Sequence, residues 1–364
     1  MEVILLISPE PWNDHFVSKH HYAITLASRG YKAYFLGPPE SKLSKIEIKE
    51  TTYNNLWVIS ALIVAKGLRF YPAQLRRWLE ARWLAKLEQQ IGSSFSTIWL
   101  FENSRFFDLS FADNRLKIYH QVDLNQDFHV PEAASSADIC FCTTDFIKKK
   151  IIPYNDNVYK IHHGVSIPLK NPPFNGENKC FENYKINAVY VGNIDISYLD
   201  IALLLGLINQ FSNVQFHFIG KYKEDGELYN RCFDSKNITW WGQVASEIIP
   251  TILIHSDIQL LVYKVDSEWE MEQLASPHKV MEYLNSGKVT VATYTDEYKD
   301  KRHLLEMVDD SKDFFATFEK VINDLPFYNS PEKQAERVAF AQNNTYSKQL
   351  DTIMTYLKRH NLHL

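Results

Sequence analysis

The stretch that most constrains this chain is Ser276-Pro277-His278-Lys279-Val280-Met281-Glu282-Tyr283-Leu284-Asn285-Ser286-Gly287, followed by Lys288-Val289-Thr290-Val291-Ala292-Thr293. Ser276 is a good N-cap and Pro277 fits the first helical position, so a helix is predicted to start here. Gly287 suits the left-handed residue that ends a helix. The β-branched run after it predicts a buried strand. The first N–H groups of such a helix lack partners within it and carry partial positive charge, which suits a phosphate. Lys279 and Glu282 are three apart and share a face near that end. One can meet an anion while the other accepts a hydroxyl. Met281 and Leu284 form a second three-spaced pair, able to face a core. A short, capped, charged helix feeding a buried strand fits a nucleotide site at the edge of a parallel sheet. The plainer alternative is an exposed Lys–Glu pair on an ordinary helix.

The rest of the chain repeats short apolar runs separated by helical segments, the pattern of an α/β fold. Val3 to Ser8 predicts a first buried strand, Ser18 a cap for a helix over 19–28 closed by Gly30, and Tyr31 to Leu36 a second strand. No GxGxxG follows the first strand, so a dinucleotide fingerprint is not supported. The loop from Pro9 to His15 leaves the carboxyl end of that strand, where ligands of open α/β sheets bind. There Trp12 can stack on a sugar, and His20 and His21 open the following helix as candidates for acceptor binding; a solvated or hydrogen-bonded helix histidine is the alternative. Further strands are predicted over 97–101, 117–121, 137–144 and 158–165. The segment from Pro168 to Asn183, with Pro168, Pro172, Pro173 and Gly176, has the composition of a linker. After it come a strand over 187–193, a helix over 199–210, strands over 214–220 and 238–244, a helix over 248–255 and a strand over 257–263. Mixed helix is predicted over 300–323, and further helices over 331–343 and 346–359.

At 364 residues, 45% of them hydrophobic, the chain is long enough for two ordinary domains. A net charge of −5 argues against a general nucleic-acid binder. Among the four cysteines, Cys140 and Cys142 fall on one face of a predicted strand, and no paired CxxC of the zinc type exists. Reduced core thiols follow. The N-terminal apolar run is too short for a signal segment, and no run approaches the ~20 apolar residues a spanning helix requires. A cytoplasmic protein is the expectation. Residues 68–90 stand apart, with Arg69, Arg76, Arg77, Arg82 and Lys86 beside Phe70, Tyr71, Trp78 and Trp83. Leu75, Leu79, Trp83 and Leu87 recur at four-residue spacing, so one apolar stripe is predicted. Cationic side chains and Trp at its edges suit a helix lying on anionic lipid at the inner face of the membrane. Packing of the stripe on the first domain is the alternative.

The run Ser-Pro-x-Lys-x-x-Glu-Tyr-Leu-x-x-Gly-Lys-x-Val-x-Ala resembles the donor-binding signature of GT-B glycosyltransferases, especially the group-4-like families and the bacterial glucuronosyltransferase type. The resemblance implies two doubly wound Rossmann-like domains facing across a cleft. It divides the chain into an N-terminal acceptor-binding domain (1–168), a linker (169–184), a nucleotide-sugar-binding domain (185–345) and a C-terminal helix (346–364) returning to the first domain. It implies that Lys279 contacts the donor diphosphate and Glu282 the donor ribose, with Ser276 and His278 beside them. Leu274 stands where many relatives carry a second glutamate. Gly192 and Asn193 match the glycine loop beside the donor phosphates, and Lys221, after a similar turn at Gly220, adds charge there. Residues 119–128 match a segment at the rim of the cleft. Asp123, then Asp127, then His120 are the candidates for the base that takes an acceptor proton in an inverting transfer; a loop-turning role is the alternative for Asp123.

The function implied is transfer of a sugar from a nucleotide-sugar donor, UDP- or GDP-linked, to a hydroxyl of a saccharide or lipid-linked acceptor, in cell-surface polysaccharide or glycolipid synthesis. No metal and no cofactor are called for: a strict Asp-x-Asp is absent, and Lys279 with the helix end can neutralise the diphosphate. The alternatives are a transferase-like nucleotide-sugar binder without turnover and a sugar-nucleotide epimerase or phosphorylase on the same architecture. No segment argues for the lysine-bound pyridoxal cofactor that such a phosphorylase needs.

Overall fold

The computed structural model describes residues 2–13, 16–41, 43, 45–101, 103–123, 128–166, 181, 184–265, 267 and 277–364. The chain forms two compact units, residues 1–163 with 346–364, and residues 164–345. Most of the segment 169–184 lies outside the described residues, as do Asp127, Leu274 and Ser276.

The first unit is built on one eight-stranded sheet in the order β3-β4-β2-β1-β5-β6-β7-β8. The strands are β1 (Val3–Ile7), β2 (Lys32–Leu36), β3 (Glu47–Glu50), β4 (Leu56–Ser60), β5 (Thr97–Leu100), β6 (Leu116–Gln121), β7 (Ile139–Cys142) and β8 (Val158–Lys160). All pairings are parallel except β3 with β4. β1 is buried at every residue because both faces of a parallel sheet are covered by helices. Among the described residues, four helices follow strands of this unit: α1 (Ser18–Ser28), α2 (Ala73–Ile91), α3 (Val130–Ser136) and α4 (Asp145–Ile151). The C-terminal helix Tyr346–Arg359 completes it. Its Tyr346, Leu350, Ile353 and Leu357 are buried in one cluster with Ile4, Leu6, Tyr22 and Leu26.

The second unit has a wholly parallel six-stranded sheet in the order β11-β10-β9-β12-β13-β14. Its strands are β9 (Ile186–Val191), β10 (Val214–Ile219), β11 (Ile238–Gly242), β12 (Ile258–Leu261), β13 (Val289–Thr293) and β14 (Glu306–Val308). Counted from β9, this is the 3-2-1-4-5-6 order of a doubly wound fold, with its reversal of direction between β9 and β12. The helices among the described residues are α5 (Ile201–Gln210), α6 (Glu227–Cys232), α7 (Ile249–His255), α8 (Lys279–Ser286), α9 (Phe314–Asn323), α10 (Leu325–Tyr328) and α11 (Pro331–Asn343).

Several sequence expectations are corrected. Ser18 is the first residue of α1 rather than its cap. Its hydroxyl meets His163 Nδ1 at 2.9 Å and accepts from Tyr346 Oη at 3.3 Å, while the Val17 N–H donates to His20 Nδ1. The pair β3–β4 was not foreseen, and 300–323 contains the edge strand β14 as well as helix. Residues 68–90 are not one helix. A 3-10 turn at Leu68–Phe70 gives way at Tyr71-Pro72, and α2 starts at Ala73, because proline supplies no N–H to an earlier turn. The stripe is also displaced: α2 buries Arg76, Glu80, Leu84 and Leu87, while Leu75 is exposed. Arg76 and Arg77 both pair with the buried Asp108, at 3.1 and 2.6 Å, which pulls the helix round by one position. The thiols of Cys140, Cys142 and Cys232 are free and buried, and burial pushes Cys142 up to about 12. No described helix is long and apolar enough to cross a membrane.

Candidate functional site

The site of the second unit is assembled at the carboxyl edge of its sheet, on either side of the reversal point. Three neighbouring strands there end in glycines in the left-handed half of backbone space: Gly192 after β9 (φ +145°), Gly220 after β10 (φ +133°) and Gly242 closing β11 (φ +67°). The turns are stitched sideways. Gly192 N–H donates to Ile219 O and Gly220 N–H to Gly242 O, both at 2.8 Å, and Ile194 N–H donates to Lys221 O at 2.9 Å. A side chain at Gly220 would run into the Gly192 carbonyl, so the second turn nests against the first only with glycine at 220.

Helix α8 enters this edge from the other side of the reversal point. Its first turn is tight: Val280 N–H donates to Pro277 O and Met281 N–H to His278 O, three residues back. The α-helix is counted from Lys279, and His278 before it already has helical backbone angles. Met281 and Leu284 are fully buried, as their spacing implied, and Gly287 (φ +79°) closes the helix. Tyr283 anchors it. Its hydroxyl accepts from Val191 N–H at 2.9 Å and donates to Leu260 O at 3.3 Å, joining α8 to the ends of β9 and β12.

This packing carries the Lys279 side chain inward. It is only 8% exposed. Its ammonium lies 4.3 Å from the centre of the Tyr190 ring and 5.2 Å from that of Tyr263, a two-ring cation–π cradle. It sits so close over the first glycine turn that a Cβ at Gly192 would come within 2.5 Å of Nζ. Among the described residues no carboxylate pairs with it at salt-bridge distance. Burial therefore pulls Lys279 down to about 7, with Glu282 pulling the other way. Burial pushes Glu282 up to about 7, opposed by Lys279. A cation held over a glycine turn, at the first residue of a helix, has the chemistry to take an anion, which would restore the lysine's charge.

The other donor candidates fall around this point. Asn193 is exposed; its side-chain oxygen accepts from Asp195 N–H at 3.0 Å and its backbone oxygen from Tyr190 Oη at 3.3 Å. Lys221 and His278 are exposed at the ends of their turns. Tyr190 and Tyr263 were missed as site residues. Both were visible as aromatic residues at strand ends, but nothing along the chain links them to Lys279.

In the first unit, Asp123 follows β6 and is half-exposed. Its Oδ2 accepts from Lys19 Nζ at 3.3 Å, and Lys19, itself 2% exposed, also reaches Glu10 at 3.1 Å. This Glu10–Lys19–Asp123 cluster joins the loops after β1 and β6 at the carboxyl edge. Lys19 was not singled out from the sequence. His120 lies in the core, 1% exposed, among Tyr22, Trp99, Phe101 and Phe141, and burial, then His163 and Lys19, pulls it down to about 3. An imidazole so enclosed is core packing rather than a group at a surface. His20 is buried too: its Nδ1 accepts from Val17 N–H and its Nε2 faces Pro11 O at 3.0 Å. His21 stacks on Tyr346 with 4.7 Å between ring centres. Trp12 is half-buried against Phe16, His20 and Phe35. Among the described residues no group of three His, Cys, Asp or Glu side chains is placed to hold a metal ion.

No known family profile matches the chain, and no curated protein matches it in sequence. Solved structures do match over nearly its whole length. Sucrose-phosphate synthase from Thermosynechococcus elongatus aligns with a TM-score of 0.71 at 12% identity, covering 99% of this chain and 100% of that one. A glycosyltransferase from Rickettsia africae aligns at 0.70 with 13% identity, covering 98% of each chain. Anabaena HepE in complex with UDP aligns at 0.68 with 12% identity, covering 99% and 100%. Identities this low carry the fold alone, and that fold is GT-B: two doubly wound α/β units in one chain.

Proposed function

We propose that the chain is a glycosyltransferase that moves a sugar from a nucleoside-diphosphate donor, UDP- or GDP-linked, to a hydroxyl acceptor. The observation that carries this reading is the Lys279 ammonium, buried and without a described anionic partner, over the Gly192 turn at the reversal point of the second sheet. In this role Lys279 and the first N–H groups of α8 meet the diphosphate and stabilise the charge that grows on it as the sugar departs. Their charge does the neutralising work that a divalent ion does elsewhere, so the reaction is read as metal-independent. Glu282, one turn along, accepts from a ribose hydroxyl. His278, at the entry to the helix, and Asn193 and Lys221, at the glycine turns, border the same ligand, and Ser276, outside the described residues, is kept with them from the sequence. In the first unit Asp123 is the leading base for the acceptor hydroxyl, held in place by Lys19, with Asp127, four positions on in the sequence, as the second choice. Trp12 and His21 border the acceptor. The Anabaena neighbour's complex with UDP favours uridine as the first base to try.

The acceptor is read as a saccharide or a lipid-linked one, in cell-surface polysaccharide or glycolipid synthesis, on the cytoplasmic side of a membrane. The support for membrane contact is a run of exposed apolar side chains, Leu62, Ile63, Phe70, Leu75 and Trp78, with Arg69 and Arg82 stacked on Phe70 and Trp78. A nucleotide-sugar binder without turnover shares the donor half of this scheme, and product formation separates the two. The donor reading is tested by thermal shift with UDP, GDP, ADP and CMP. A ligand that binds the native state alone raises the melting temperature by mass action. We expect a shift with UDP or GDP in the wild type and its loss in Lys279→Ala; equal shifts in both proteins would remove the phosphate role from Lys279.

A further inference from the structure

The first unit contains a cavity of about 330 Å³. It opens where β2 and β4 end, between the segment 61–70, the start of α2 and residues 104–107. Its lining changes from inside to outside. Leu36, Phe106 and Phe107 are buried and make an apolar floor. Leu62, Ile63 and Phe70 line the same space and are exposed, so they mark its mouth. Arg69 is exposed at the mouth too, its guanidinium 4.7 Å from the centre of the Phe70 ring, and it makes no ion pair among the described residues. Lys66, three residues earlier, is also exposed, and the segment 61–72 holds no acidic residue. Glu80 is the carboxylate among the described lining residues; at 1% exposure it offers no charge at the mouth. Arg105 ties the chamber to the rest of the unit. It lines the cavity, and its Nη2 donates to Ser8 O at 3.0 Å and Gly37 O at 3.2 Å, the residues that follow β1 and β2. The chamber therefore borders the carboxyl edge of the first sheet, the edge that carries Glu10, Lys19 and Asp123.

An apolar floor under a cationic mouth orders the guest. A hydrocarbon covers the floor and leaves Arg69 unmet. A small anion meets Arg69 and leaves the floor wet. An elongated molecule with an apolar end and an anionic end does both. The volume lies at the small end of ligand sites, so it admits one chain and not the two chains of a bilayer lipid. Two cations in one short segment favour a group of more than one negative charge, and a guanidinium matches phosphate oxygens in pairs. We propose that the chamber takes the single hydrocarbon chain of a lipid phosphate, with the chain on the floor and the phosphate at Arg69, and that this is the lipid end of the acceptor. Only the word acceptor rests on the transferase reading; the binding does not.

The test is calorimetric titration of the full chain with decyl phosphate and with 1-decanol, both kept monomeric in solution. Decyl phosphate should bind, and at low ionic strength it should exceed 1-decanol by about fivefold, the size of one exposed ion pair. Added salt should close that gap, and Arg69→Gln should bring decyl phosphate down to the level of the alcohol. Ala65→Trp, which fills the chamber, and Phe70→Asp, which sets a carboxylate in its mouth, should each cut decyl phosphate binding at least about tenfold. Melting temperatures establish that each variant is folded; should Ala65→Trp fail to fold, Phe70→Asp carries the test, since Phe70 is 77% exposed. Lys279→Ala should bind decyl phosphate as the wild type does, which keeps this phosphate apart from one held by Lys279. The proposal is overturned if decyl phosphate does not bind the wild type, if the alcohol binds as tightly, if Arg69→Gln keeps the gap, if Phe70→Asp or folded Ala65→Trp binds as the wild type does, or if Lys279→Ala abolishes binding. A UDP titration of the same samples separates the two readings. UDP binding without decyl phosphate binding removes the cavity assignment alone, and decyl phosphate binding without UDP binding removes the donor reading alone.

Discussion

At the scale of single residues, the chain buries charge in two distinct ways. Lys19 and Asp108 are buried with their opposites in reach, so their charges are compensated within the fold. Lys279 is buried against two aromatic rings and a glycine turn instead, and Glu282, one turn along, offsets only part of the effect of burial. This has a consequence in protons. The free lysine titrates near 7, well below its ordinary 10.5. A diphosphate favours the charged form and raises that value, so binding above pH 7 takes up a proton. Affinity should be greatest below pH 7 and fall as pH rises through it, by up to about tenfold per pH unit, until the value of the complex is reached. Calorimetry of UDP binding at pH 8, in buffers of different ionisation enthalpy, should register uptake of nearly one proton by the wild type and almost none by Lys279→Met. Equal uptake in the two would place the titrating group elsewhere.

Among the elements, α8 and α2 show how one helical pattern can end in different packing. The 281/284 pair of α8 became the buried face its spacing implied, since the helix is short and Tyr283 pins it to β9 and β12. In α2 the four-residue apolar stripe was overruled by an ion pair: Asp108 drew Arg76 inward, and Leu75 and Trp78 were left to solvent. These exposed side chains, with those of the preceding 3-10 turn, are the basis for lipid contact. Vesicles of phosphatidylglycerol and phosphatidylcholine should sediment the protein at low ionic strength and release it as salt screens the arginines. The double variant Phe70→Ser/Trp78→Ser should bind at least several-fold less. Cosedimentation that ignores both salt and these substitutions would remove α2 from the contact.

For the whole molecule, the C-terminal helix makes the first unit discontinuous in sequence. The chain passes into and back out of the second unit at adjoining positions, with Val165 N–H donating to Asn344 O and Val165 bridging Thr345. Tyr346, Leu350, Ile353 and Leu357 then fill the core of the first unit, and Arg29 donates to Asp351 at 2.6 Å. Burial of four such side chains contributes about 6–12 kcal/mol at roughly 1.5–3 each, comparable with the whole stability of a domain. A chain ending at Thr345 should lose the cooperative unfolding transition of the first unit, followed by near-ultraviolet dichroism, while a UDP-responsive transition persists in the second. Retention of both transitions would show that the helix is dispensable.

Local sequence determined most of the periodic structure and one part of the site. The strands at 3–7, 186–191 and 289–293, the Gly287 stop and the Lys279–Glu282 face follow from spacing and backbone preference within a few residues, which the chain carries wherever it folds. The edge strand β14, the turn of α2, the core position of His120 and the enclosure of Lys279 by Tyr190 and Tyr263 do not. Each depends on partners tens of residues away, and only the sheet order brings those together. Whether a histidine is a base or packing, and whether a lysine is solvated or waiting for an anion, is a matter of what surrounds it, and burial is a property of the assembled fold.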